Sequence, residues 1–203
     1  MGLLTSRLTA RRFVVEGDLP DQFREAFRDG LQDHAYNEPP GVHRELEGWT
    51  CGTDIMDTDF GNFNSWFFNN SWLLFSLRID KRMLPAAKFK AELKLRCKAW
   101  AEERSVERCP ASVRSELKEM LENEWLPRQM PKTTMHEVAW NIDTNMLYLS
   151  SHAEGVGDRF RKRFYRTFGR TATPMPPMFW VEDDSVMDAL LTTAPMIFRG
   201  GAK

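Results

Sequence analysis

Polar and apolar side chains alternate from Arg7 to Val15, the two-residue period of a strand. After Gly17-Asp18, residues Leu19, Phe23, Phe27 and Leu31 recur at the spacing of one helix face. From His34 to Asn70 the pattern dissolves into Gly, Pro, Asn and acids, with room for one short strand around Leu46 to Cys51. Trp72 to Ile79 is the strongest strand signal. Leu73, Phe75, Leu77 and Ile79 fall on one face and Trp72 and Leu74 on the other, which predicts a strand buried on both sides.

Beyond Met83-Leu84-Pro85 the period lengthens. Phe89, Leu93, Cys97 and Trp100 mark a helix, and Pro110 opens a second one carrying Val113, Leu117, Met120 and Leu121. Pro127 and Pro131 close this excursion. Val138–Ile142 and Met146–Leu149 then flank Asp143-Thr144-Asn145, the pattern of a β-hairpin. A helix from about Glu154 to Phe168 carries a stripe of Phe160, Phe164 and Phe168. Pro174 to Pro177 read as an extended connector, and Glu182 to Leu191 as a short acidic helix or ragged tail. The fold class is α+β: a central mixed β-sheet domain with packed helices (1–83 and 128–178), interrupted by a projecting helical-hairpin tip (84–127) and followed by a short tail (179–203).

With 203 residues, 42% of them hydrophobic, the chain has material for one substantial core and is too short for a multidomain machine. Its net charge of −1 marks it as neither a generally basic nucleic-acid binder nor an acidic-tail protein, so any electrostatic function must come from local segregation. Such segregation is present. Glu16 to Asp59 holds twelve acids against three arginines, whereas Lys81 to Lys98 holds seven bases against Glu92 alone. The first stretch is expected to repel DNA. The three cysteines cannot all pair and lack the spacing of a zinc site, which suits a reducing cytoplasm. No run is long enough for a signal peptide or a membrane span, so no membrane partner is expected.

Three motifs stand in a fixed order: Ile79-Asp-Lys-Arg-Met-Leu-Pro85 before the helical pair, Glu124-Trp-Leu-Pro-Arg128 after it, and Trp140-Asn-Ile-Asp-Thr144 before the closing basic helix. In that order they resemble the recombination-associated RdgC family, well over residues 70–177 and loosely over 7–50. The resemblance implies a non-enzymatic protein that binds double-stranded DNA without sequence preference. It further implies a homodimeric ring or clamp, built from a central domain, a helical tip and a C-terminal base, that restrains a RecA-type recombinase. A cytoplasmic, nucleoid-associated location goes with that partner. By the same likeness this chain is a short form lacking the base, and Met130 stands where the family places an aromatic at the tip.

The residues themselves offer two cationic surfaces. Lys90, Lys94 and Lys98 follow one another at i, i+4 and i+8, with Lys88 beside them, and could meet successive phosphates. On the last long helix Arg159, Lys162, Arg163, Arg166 and Arg170 form an arc beside the phenylalanine stripe, with guanidinium groups suited to bidentate phosphate contact. No set of base-reading side chains accompanies them, so contact would be with the backbone; a solvated helix surface explains the same charges without any partner. A two-helix hairpin has little core of its own, so Leu93, Trp100, Val113, Leu117, Leu121, Trp125 and Met130 are candidates for a dimer interface, although the helices' mutual packing accounts for the same stripes.

Enzymatic and metal readings are weaker, and neither a catalytic residue nor a cofactor is expected. His136-Glu137 opens like a zinc-protease motif, but Trp140 occupies the second ligand position. Asp54, Asp57 and Asp59 lack calcium-loop spacing, and Asp33, His34, Glu38 and His43 make only an ordinary polar loop. Gly155-Val-Gly157 reads as a helix-start turn, and Cys97 as part of the hairpin core. A protein-interaction module without DNA binding, and more distantly a metal-dependent nuclease, remain open alternatives.

Overall fold

The computed structural model describes residues 9–39, 41–52, 54–175 and 184–192. Its strands are β1 (Arg11–Val15), β2 (Glu45–Cys51), β3 (Phe67–Phe68), β4 (Trp72–Lys81), β5 (Lys132–Asn141), β6 (Met146–Leu149) and β7 (Ala172–Pro174). Its helices are α1 (Phe23–Asp33), α2 (Ala86–Glu103), α3 (Ala111–Trp125), α4 (Glu154–Phe168) and α5 (Asp184–Thr192). The strands form one sheet in the order β2-β4-β5-β6-β1-β7, with β3 also paired to β4. The α+β class stands. Among the described residues the expected mixed sheet is antiparallel in every strand pairing, and the one parallel contact there is an isolated bridge between Ala35 and Trp49. The α2–α3 excursion returns the chain beside β4 in the opposite direction, and a tight turn does the same between β5 and β6.

That turn is stabilised as its composition requires. The Asn141 side-chain oxygen accepts from the backbone N–H of Asp143 and Thr144, and Asn145 takes the left-handed φ of 55° that Asn tolerates.

Helices α1 and α4 cover one face of the sheet. Phe27 packs on Trp140, Phe160 on Phe13 and Trp49, and Phe168 on Phe75. This aromatic layer, with Leu31, Leu73, Leu77, Val138, Leu147, Leu149 and Phe164, is the core. The two helices touch where Gly30 meets Thr167: a Cβ on Gly30 would come within 2.4 Å of the Thr167 carbonyl oxygen. The Thr167 hydroxyl also accepts from the Trp49 indole N–H at 2.7 Å.

Among the described residues no long helix covers the opposite face, and β4, expected to be buried on both sides, is only partly buried there. Trp72 and Leu74 remain partly exposed, while Ser76 and Asp80 are covered. The cover comes from the stretch that the sequence leaves patternless. Ser76 donates to the Gly52 carbonyl, Arg78 to the Ile55 carbonyl, and the Tyr36 hydroxyl to Asp80 at 2.7 Å. Helices α2 and α3 pack on one another through Phe89 and Trp125, with Leu93, Ala101 and Leu121 buried. None of their residues belongs to the main core. Pro174, expected in a connector, ends β7 against Phe13; residues 176 and 177 of that connector, and 182 and 183 of the expected acidic helix or tail, lie outside the described residues.

Candidate nucleic-acid interface

Helix α2 starts directly after Pro85, whose fixed φ suits a helix entry, and Lys88, Lys90, Lys94 and Lys98 are all exposed on it. Lys90 and Lys94 pair with no carboxylate among the described residues. Lys98 sits 3.4 Å from Glu102, and the Lys88 ammonium lies 5.9 Å from the Trp125 ring centre. Arg96, the helix's other central cation, is held by Glu92 at 3.2 Å and Glu124 at 2.7 Å. The hydrogen bond from Arg96 holds the Glu124 carboxyl below its usual range. Lys90 and Lys94 border a groove of about 320 Å³ whose far wall includes Arg114 at the start of α3. No periodicity singles out Arg114, because only the chain reversal at 104–110 brings it beside α2.

The α4 arc divides into two. Arg159 contacts Glu45 and lies 3.6 Å from Glu47; Arg163 binds Glu47 at 3.2 Å and reaches the His34 carbonyl; Arg170 donates to the Asp18 carbonyl. Arg159 and Arg163 fasten α4 to the acidic half of the chain, Arg170 fastens the segment just past the end of α4 at Phe168, and all three are withdrawn from the expected phosphate-facing arc. The register of β2 explains it: Glu45 and Glu47 share the pleat face of Trp49, the face that α4 covers. The acidic stretch is therefore not segregated from the basic helix, as its place along the chain implies, but lies partly beneath it. Lys162 and Arg166 face outward and have no carboxylate partner among the described residues. Arg161, bound to Asp158 at 2.5 Å, and the exposed Tyr165 stand beside them. Together with β7 they enclose a groove of about 540 Å³.

Several expected interface residues serve the interior instead. Leu121 is fully buried and Leu93 nearly so, because these stripes seat α2 and α3 on one another. Val113, Leu117 and Trp125 are half-buried, and Trp100 lies beneath the Arg104 guanidinium, 4.5 Å from its ring centre. Met130 is open, at 91% exposure, and Leu95 and Met120 are further large apolar side chains on the outside of the helical pair.

The RdgC family model, described as "Putative exonuclease, RdgC", matches residues 15–193. The chain belongs to the RdgC family. No curated protein matches it. Membership links the chain to recombination, while the family's description also carries a nuclease activity. Among the described residues, no three His, Cys, Asp or Glu side chains gather in a way that could hold a metal ion. His34 faces the Gly30 carbonyl and Glu38 binds Arg82, so these members of the polar loop are engaged in local contacts. Gly157 opens α4 where the Arg11 guanidinium passes 2.6 Å from the position of its missing Cβ, a packing role rather than a phosphate cradle. No helix among the described residues is long and apolar enough to cross a membrane.

Proposed function

We propose that this RdgC-family chain binds double-stranded DNA without sequence preference, as a homodimer, and acts in recombination by restraining a RecA-type recombinase. The observation that carries the reading is the set of exposed cations without carboxylate partners among the described residues: Lys90 and Lys94 with Arg114 around the α2–α3 groove, and Lys162 and Arg166 on the outer face of α4. Lysine and arginine on convex helix surfaces contact phosphates and release condensed counterions, a term independent of base sequence. Leu95, Met120 and Met130 are the apolar surface on which a second copy would pack, in place of the buried Leu93 and Leu121.

Anisotropy titration against unrelated duplexes at two salt concentrations tests this reading. Equal, salt-sensitive binding is expected, and K90E/K94E should weaken it uniformly, flattening the log–log salt slope by about 0.9 for each phosphate no longer neutralised. Salt-insensitive or absent binding would leave the same fold working as a protein-interaction module. The family's description favours a second activity, which labelled duplex incubated with magnesium or manganese would reveal as end-dependent shortening.

A further inference from the structure

Cys97 and Cys109 are brought together by the reversal between α2 and α3. Cys97 lies past the middle of α2. Cys109 immediately precedes Pro110, where the chain enters α3, and its sulfur is 3.6 Å from the Pro110 carbonyl oxygen. Both side chains are partly exposed and both line the α2–α3 groove. Lys90, Lys94 and Arg114 line the same groove. Desolvation and the neighbouring Cys97 raise the Cys109 thiol, and Arg114 pulls it the other way. Cys51 is different. It is 2% exposed beneath the sheet, where burial pushes its thiol up to about 11, and its sulfur sits 3.0 Å from the Ser65 hydroxyl.

We propose that Cys97 and Cys109 are a redox modification site: a neighbouring thiol pair that closes reversibly into an intramolecular disulfide when exposed to a peroxide. One thiolate attacks hydrogen peroxide, breaking its O–O bond and giving a sulfenic acid and water. The second thiol sulfur then displaces the sulfenic oxygen as a second water, forming the S–S bond. The two thiols lose two protons and two electrons, and one peroxide is reduced to two waters. A dithiol reductant reverses the reaction by exchange. The product ties α2 to the entry of α3 and fixes the turn between them.

The experiment is oxidation of the folded full chain with hydrogen peroxide, followed by alkylation, proteolysis without reductant and mass spectrometry. The expected product is a Cys97–Cys109 linked peptide lighter by two hydrogens, on a chain that still runs as a monomer in a non-reducing denaturing gel and recovers both thiols with dithiothreitol. C97S and C109S should each lose that species and trap a sulfenic acid on the remaining cysteine, while Cys51 stays unmodified in every sample. Oxidation of the native chain to separate sulfinic acids without the linked peptide, linkage through Cys51, or exclusively intermolecular disulfides would each overturn the proposal.

Discussion

Gly48 shows how one missing side chain places a polar network. A Cβ there would lie 2.2 Å from the Tyr36 Cα, so only glycine lets the chain cross β2 and set the Tyr36 ring on the far face of the sheet. On that face the Tyr36 hydroxyl donates to Asp80, Arg78 forms two hydrogen bonds to the same carboxylate, and the Arg78 guanidinium lies 3.8 Å from the Tyr36 ring centre. Gly48→Ala is expected to lower stability by about 1–3 kcal/mol through overpacking, read as a lower urea midpoint with an unchanged slope. Acid should act in two steps. Burial holds His136 below its ordinary 6.5, so the unfolded chain takes up that proton first and stability falls as pH drops through about 6.5. Burial alone would push Asp80 up, but hydrogen bonds from Arg78, Tyr36 and Thr133 prevail and hold it below 3.8. Its contribution is therefore present above the ordinary carboxylate range and falls away below it. Unfolding midpoints measured across pH should show both steps, with the upper one absent in His136→Gln.

At the scale of elements, α4 is clamped to β2 by charge as well as by phenylalanines. Arg163 and Glu47 are both mostly covered, at 17% and 29% side-chain exposure, so solvent screens their attraction less than it would a surface pair. A double-mutant cycle with Arg163→Ala and Glu47→Ala should give a coupling of about 1 kcal/mol, measured by urea unfolding; a value near zero would leave the phenylalanine stripe as the sole fastening. This clamp is also where the sequence is least legible. The period of Phe160, Phe164 and Phe168 reveals α4 and its buried face, and the alternation of Leu73 to Ile79 reveals β4, because hydrophobic repetition is a local property. Whether Glu45 meets Arg159 depends instead on strand register and on which face of the sheet a helix covers, and neither is local. The loop between β2 and β3 escapes for a related reason: its order comes from capping contacts such as Gln32 to the Phe60 N–H and Ser76 to the Gly52 carbonyl, which leave no period in the chain.

Across the whole molecule a nearly neutral chain carries two open cationic surfaces, one on α2 and one on the outer side of α4, while other cations of the same helices are consumed internally. Two kinds of cation on one helix should therefore separate in experiment. K162E/R166E changes side chains that touch no carboxylate among the described residues, so its thermal midpoint should stay near that of the parent. If a duplex lies against α4, the same variant should bind more weakly to every sequence, and its salt slope should fall by about 0.9 for each phosphate left unneutralised. Arg163→Ala should do the reverse, lowering the thermal midpoint by breaking the hold on Glu47 while leaving the salt slope unchanged, since its guanidinium already faces the protein. If K162E/R166E leaves DNA affinity unchanged while K90E/K94E reduces it, the DNA surface belongs to the helical pair alone. If Arg163→Ala flattens the slope as much as the outer pair does, α4 must release its clamp to meet DNA, and the ion pairs to Glu45 and Glu47 would belong to the unbound chain.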